Sequence, residues 1–357
     1  MFNIKKISKG YFRKGKYSVS LIPMREEDTH PVFHSHCNIL QPLTSSLLPW
    51  KTLHVINRMP KQLSFFNKSY IAEVEGATGI APTSITKYGF DLKKCHNFID
   101  NEIKQNKLKK IVFFSESSLD LQRQWMTDRM IEISDFSNIV PHKVFQKPLD
   151  LSVRKLSFII VISQSVNKGS FLFPLLIDEI IKRRQDVVFN IVTAEDFIVD
   201  DRHCRYINKH VIKRMSFSQK KDIFFKSDIL INISPMDTLG SFLDSMMFNT
   251  PVITVPGQHA HSYIKHNLTG YIVDSPIFYY SDAWGKEYFN AKKDFREYLL
   301  KMDLSCWNVM LKQIGDIVED LNFQKISKMM SVQHKDTIQN YNLSDWLDKW
   351  ESIYKEV

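Results

Sequence analysis

The strongest signal in the chain is the run Leu156 to Ile162, in which nearly every position is apolar. A run of that length without polar alternation predicts a strand buried on both faces of a parallel sheet. Downstream the periodicity alternates. A helix is predicted over Phe171–Arg184, a strand over Val187–Thr193, a helix over Ser218–Lys226, a strand over Asp228–Ile233 and a helix over Leu239–Phe248, followed by strands at Val252–Val255 and Gly270–Val273. This is a doubly wound α/β pattern, whose ligands sit at the carboxyl ends of the strands. Upstream, β-like runs at Tyr17–Ile22, Val32–Cys37, Thr52–Ile56, Ser69–Val74 and Lys110–Phe114 are separated by polar or proline-containing stretches. Helix-like segments at Leu92–Gln105 and Ser118–Ile133 make that half an α/β layered unit as well. Pro141 to Pro148 breaks the pattern, and the charged stretch around Asp150–Lys155 predicts a linker between the halves. The C-terminal region is mostly helical in pattern and ends in Trp346, Trp350 and Tyr354, a four-residue stripe expected to pack against the protein itself. No repeat of solenoid period is present.

A length of 357 residues gives roughly two domains at ~150 residues each. With 43% hydrophobic and 24% charged residues, disordered, collagenous and low-complexity classes are excluded. Cys37, Cys95, Cys204 and Cys306 are widely separated, which argues against a zinc ribbon or a disulfide framework and fits a reducing compartment. No apolar run approaches the ~20 residues of a membrane span, and the basic start of the chain is not followed by an apolar signal core. The expectation is a cytoplasmic protein. The net charge of +9 favours anionic partners. Lys5, Lys6, Lys9, Arg13, Lys14 and Lys16 form an N-terminal arm without acids, either a solvated terminus or an attachment to an anionic membrane surface, where each basic residue contributes ~1 kcal/mol. Basic residues do not form a stripe interleaved with aromatics, so nucleic acid is not an expected partner.

The segment Ser227–Asp274 is the richest in candidate chemistry. A buried strand ends at Ser234-Pro235, Asp237 and Gly240 lie in the following loop, and Asp244 sits in the early turns of the next helix. The unpaired amides of a helix N-terminus hold phosphate, and a glycine lets a ligand approach the backbone. Asp244 has no cation near it in sequence and can accept hydrogen bonds from sugar hydroxyls. Elsewhere, His34 and His36 share one face of a predicted strand and are read as ordinary strand-end residues, cleft-lining residues or metal ligands; His259 and His261 carry the same ambiguity. Glu73 and Glu75 also share a face and would raise one another's pKa. One of them orients an acceptor hydroxyl, or both belong to a solvated strand end. Glu116, near the end of another strand, is a further acceptor-side candidate.

These residues resemble the nucleotide-sugar half of glycosyltransferase family 4. The matching elements are Ser234-Pro235, Asp237, Gly240, Asp244, the run Asn249-Thr250-Pro251-Val252-Ile253, and the later Asn267-Leu268-Thr269-Gly270-Tyr271-Ile272-Val273. Upstream, Ile159 to Gly169 (IIVISQSVNKG) is similar to the family strand that runs into a Lys-Gly loop. The resemblance implies a GT-B architecture: α/β, two Rossmann-like domains facing a central cleft, with a C-terminal helix packing back across them. It divides the chain into an acceptor-side domain (1–150), a donor-binding domain (151–330) and a returning helical segment (331–357). It implies a retaining hexosyltransferase using a nucleoside diphosphate sugar as substrate, with no separate cofactor and no metal. By the same resemblance Lys168 meets the diphosphate, Asp237 lies near the transferred sugar, Asp244 binds the ribose, and Leu239, Gly240 and Ser241 offer backbone amides. Glu195 lies at the edge of the donor pocket, and Glu73 is a catalytic-site acid. The family arginine is Ser163 here, with Lys213, Arg214 or Arg58 as replacements for its charge. Both acids are aspartates, one residue closer together than the family pair. A glycan or lipid-linked oligosaccharide acceptor, in bacterial surface polysaccharide synthesis at the inner face of the membrane, is the implied setting. The alternative is a noncatalytic partner subunit of the same shape that binds nucleotide or glycan.

Overall fold

The computed structural model describes residues 69–74, 92–141, 143–148, 154–162, 166–194, 199–212, 215–235, 239–277 and 295–357 in full, and the backbone of 53–56 and 292–294. The expected strands at 17–22 and 32–37 and the basic arm lie outside the described residues.

Two parallel sheets organise the chain. The first joins β1 (Leu53–Ile56), β2 (Ser69–Val74), β3 (Leu108–Phe113) and β4 (Ser134–Phe136) in that spatial order. The second has the order β10-β9-β8-β5-β6-β7, with β5 (Leu156–Ile162), β6 (Val187–Thr193), β7 (Ile207–Val211), β8 (Ile229–Asn232), β9 (Val252–Thr254) and β10 (Gly270–Ile272). Its order reverses at β5, which pairs with β6 on one side and β8 on the other.

The apolar run of β5 is buried on both faces, as its pattern requires. Leu156, Phe158 and Ile160 enter one core with helix α4 (Phe173–Arg183) and helices α8 (Lys292–Lys301) and α9 (Asn308–Asp320). Ile159 enters the opposite core with α6 (Leu239–Met247). That second core also takes in Ile71 and Val112 of the first sheet and Trp346, Trp350 and Tyr354 of the last helix, α11 (Leu343–Lys355), so one apolar body joins the two sheets. The Trp346 and Trp350 rings lie 6.1 Å apart. Lys349 pairs with Asp135 at 2.8 Å, and Lys110 with Glu356 at 2.5 Å, tying α11 to β3 and β4. A third cluster sits beneath the first sheet, between β2, β3 and helix α1 (Leu92–Lys104).

Three sequence expectations change. The single helix predicted over Ser118–Ile133 is two short helices, α2 (Glu116–Arg123) and α3 (Asp128–Glu132), with β4 after them. Thr127 breaks the helix because its side chain accepts from Met130 N and starts a new one, the ordinary behaviour of a capping threonine. The stretch 143–148, read only as a break in the pattern, is packed: Phe145 lies 5.8 Å from both Phe217 and Phe248. Lys147 is buried and donates to the Phe224 and Ser227 carbonyls near the end of α5 (Phe217–Phe225). Desolvation there lowers the Lys147 pKa to about 8. Finally, β7 has no counterpart in the sequence reading, because it is an edge strand whose Asn208 and Lys209 are exposed.

Candidate functional site at the sheet switch point

In a doubly wound sheet the loops on either side of the reversal leave in opposite directions and open a crevice at the carboxyl ends of the strands. Here the crevice lies between the ends of β5 and β8. After β5 the chain makes a short 3-10 turn, Val166–Lys168, and then Gly169 adopts φ 77°, a left-handed conformation natural only to glycine. A Cβ at Gly169 would fall 2.8 Å from the Ile233 carbonyl oxygen, so the turn is pressed onto the residue that follows β8. Lys168, half-buried, immediately precedes this contact, in which Gly169 also lies against Pro235. Helix α8 packs on the same turn from outside.

The start of α6 has the opposite character. Among the described residues, a Cβ at Gly240 would meet nothing within 4 Å. Leu239, Gly240 and Ser241, all half-buried, form the first turn of the helix, its positive end. Asp244 follows in the second turn, 7% exposed. The sequence shows no cation near it, but the fold supplies one: Lys220, on α5, donates to Asp244 Oδ2 at 2.8 Å. Lys168, Leu239, Gly240, Ser241 and Asp244 thus gather at one end of the sheet. Asp237, Lys213, Glu195, Ser163, Arg58, Glu75, His34 and His36 lie outside the described residues.

Two other parts of the quoted sequence run have backbone explanations. Asn249 ends α6 at φ 50°, and Pro251 stops the helix after Thr250 N returns to the Ser245 carbonyl at 2.9 Å. A Cβ at Gly270 would lie 2.2 Å from the Val252 carbonyl, so only glycine lets β10 approach β9.

Glu73 does not match a solvated strand end. It shares the face of β2 that carries Ile71, turns inward between the sheets and is 1% exposed. Glu116 is exposed at the first position of α2. His259 is fully buried and pairs through Nδ1 with Ser115 Oγ at 2.7 Å, whereas His261 is exposed.

That histidine belongs to a polar seam between the sheets which the sequence did not reveal. Ser117 Oγ donates to the Gln258 carbonyl at 2.9 Å, Gln258 Nε2 to Ser118 Oγ at 2.8 Å, and Tyr263 OH to the Phe114 carbonyl at 2.9 Å. Ser117 N and Ser262 Oγ are also joined, at 2.9 Å. Tyr341 OH closes the seam on the Ser262 carbonyl, and burial raises that phenol's pKa to about 12. The only advance signal was the clustering of serines in Ser115-Glu116-Ser117-Ser118; their partners are some 140 residues away.

Among the described residues, no group of three His, Cys, Asp or Glu side chains is placed to hold a metal ion, and no helix is long and apolar enough to cross a membrane.

The sequence matches no family model. No curated protein sequence is significantly similar to it. Solved structures are similar in fold. Anabaena HepE in complex with UDP-glucose superposes with a TM-score of 0.55 at 11% identity, over 88% of this chain and 81% of that one. Sucrose-phosphate synthase from Thermosynechococcus elongatus gives 0.53 at 11% identity, over 86% and 73%. TarM gives 0.51 at 12% identity over 84% of this chain and 54% of its own, so the present chain spans about half the length of TarM. With two parallel-sheet lobes and these likenesses across most of its length, the chain has the GT-B fold of the glycosyltransferases.

Proposed function

We propose that this protein is a retaining, metal-independent glycosyltransferase that moves a sugar from a nucleoside diphosphate sugar to a glycan hydroxyl. The observation that carries the reading is the packing of the Lys168-Gly169 turn on Ile233 and Pro235, just past the end of β8, at the switch point of the second sheet. A lysine turn and a helix N-terminus at the same end of a sheet suit the charge of a diphosphate. That field matters most as the bond from the anomeric carbon to the phosphate oxygen breaks and negative charge grows on the departing diphosphate. Lys168 neutralises that charge, the amides of Leu239 to Ser241 hydrogen-bond the phosphates, and Asp244 takes the ribose. Asp237, in the loop before α6, contacts the transferred sugar, with Lys213 and Glu195 at the pocket edge. HepE, of the same fold, has been crystallised with UDP-glucose, so a UDP-sugar is the first donor to try. We assign a lipid-linked glycan of bacterial surface polysaccharide synthesis as acceptor, reached through the basic arm at the inner face of the membrane; Lys5 to Lys16 support that assignment.

Thermal shift with UDP-, GDP-, ADP-, CDP- and dTDP-sugars, without added metal, tests the donor site. A ligand of the native state raises the melting temperature by mass action. The expected result is a shift with one nucleotide that is lost in Lys168→Ala and Asp244→Asn. No shift with any of the five, in a folded wild-type protein, rejects the reading. A second reading, a binding subunit that transfers no sugar, is favoured by Ser163 standing where the resemblance places an arginine. Binding without sugar transfer to any glycan acceptor would establish it.

A further inference from the structure

We propose that Lys220 is a positioning residue for nucleotide recognition: it fixes the Asp244 carboxylate so that the site distinguishes a ribose from a deoxyribose. This rests on the donor-site reading above. Lys220 Nζ lies 2.8 Å from Asp244 Oδ2, and the two side chains are only 13% and 10% exposed. A carboxylate withdrawn from water to that degree adopts the orientation its cation imposes, because leaving the ion pair would strand a nearly buried charge.

The cation itself is held by the framework. The Ser216–Gln219 capping box starts α5 immediately before Lys220. Phe217 and Phe224 of the same helix pack on Phe248 at 5.8 and 5.0 Å, and Phe248 follows Asp244 by one turn, just beyond the end of α6. At the far end of α5, Lys147 anchors the Phe224 carbonyl. The two helices that carry the pair are therefore locked together on both sides of it.

Distance argues that the pair does more than join helices. Asp244 lies four residues beyond Gly240, roughly 6 Å along the helix at 1.5 Å per residue. The pair thus stands one sugar's breadth from the open backbone where the diphosphate is placed. A carboxylate that close to a diphosphate would repel it; Lys220 cancels that repulsion while keeping Asp244 ionised as an acceptor for ribose hydroxyls. An unanchored aspartate would turn toward solvent and lose its preference for the 2′-hydroxyl.

The test is calorimetric titration of wild type, Lys220→Met, Lys220→Arg, Asp244→Asn and the double variant Lys220→Met/Asp244→Asn with UDP, GDP, ADP and CDP, each beside its 2′-deoxy form. Wild type is expected to bind one ribonucleotide at least tenfold more tightly than its deoxy form. Lys220→Met should lose that ratio while its affinity for the deoxy form changes less than threefold, and Lys220→Arg should restore it. The double variant, which contains no stranded carboxylate and so guards against misfolding, should bind like Asp244→Asn alone. A Lys220→Met protein that melts earlier yet keeps the wild-type ribose-to-deoxyribose ratio overturns the proposal and makes the pair purely structural. Wild type that binds none of the nucleotides fails at the donor-site reading itself, which separates the two outcomes.

Discussion

The carboxyl ends of the two sheets are put to different uses. In the first sheet the described strands follow one another in order, and the chain leaving β3 is closed at once by the Ser115–His259, Ser117–Gln258 and Tyr263–Phe114 hydrogen bonds. In the second sheet the order reverses at β5, and a Cβ at Gly240, at the start of the helix that follows β8, would meet nothing within 4 Å among the described residues. Both ends offer polar groups and helix starts. Among the described residues, strand reversal sends neighbouring loops of the second sheet apart, while the lobe contact fills the ground above β3. Polar residues at a strand end are thus no guide to a site until their partners are known.

The contrast breaks first at Lys168. Lys168→Ala should reduce sugar-transfer turnover by about 10²–10³-fold, the scale of losing one charge-stabilising group, with little change in denaturation midpoint. A turnover within threefold of wild type would remove the electrostatic role. Gly169→Ala comes next, since it combines a left-handed backbone with a Cβ 2.8 Å from the Ile233 carbonyl. It should lower unfolding free energy in urea by roughly 1–3 kcal/mol. In the seam, His259→Ala removes the buried Ser115–His259 hydrogen bond, leaving Ser115 Oγ with the Ser118 amide, and should cost about 1–3 kcal/mol, yet nucleotide affinity should stay as in wild type. A loss of nucleotide binding there would mean that seam and site are one unit.

Gly240→Ala sharpens the comparison from the other side. Its new methyl enters open space, and alanine favours a helix over glycine by up to about 1 kcal/mol, so stability should hold or rise slightly while nucleotide affinity falls. Opposite outcomes at Gly169 and Gly240 would show that one glycine serves the fold and the other the ligand. A pH-dependent effect is expected at Lys147. Its folded-state pKa of about 8 lies below the 10.5 of a free lysine, so between those values the unfolded chain binds the extra proton and stability rises with pH. Lys147→Met should remove that rise, a difference of at most about 1.4 kcal/mol per pH unit, read by urea unfolding from pH 8 to 10.5.

Much of the second sheet was legible. Leu156–Ile162 and Val187–Thr193 were read with the bounds they have in the structure, because strands buried on both faces must be apolar throughout. The edge strand Ile207–Val211 was not, since an edge carries polar residues like any loop. The stretch 143–148 read only as a break in the pattern because one partly buried aromatic and one buried lysine leave no periodic trace.

Among the site residues the same division holds. Gly240 and Asp244 were singled out by their place after a strand whose end hydrophobicity had located, and Lys168 by the resemblance to glycosyltransferase family 4; both signals are local properties of the chain. They could not supply Lys220, which is joined to Asp244 from 24 positions away, nor the seam, whose partners are separated by more than 140. Those pairings depend on how helices and sheets stack, and stacking is driven by apolar burial that is indifferent to which polar groups it brings together. The chain therefore announces its strands and the loops between them, while the charge beside a carboxylate and the closing of one strand end but not another are decided only when the sheets meet.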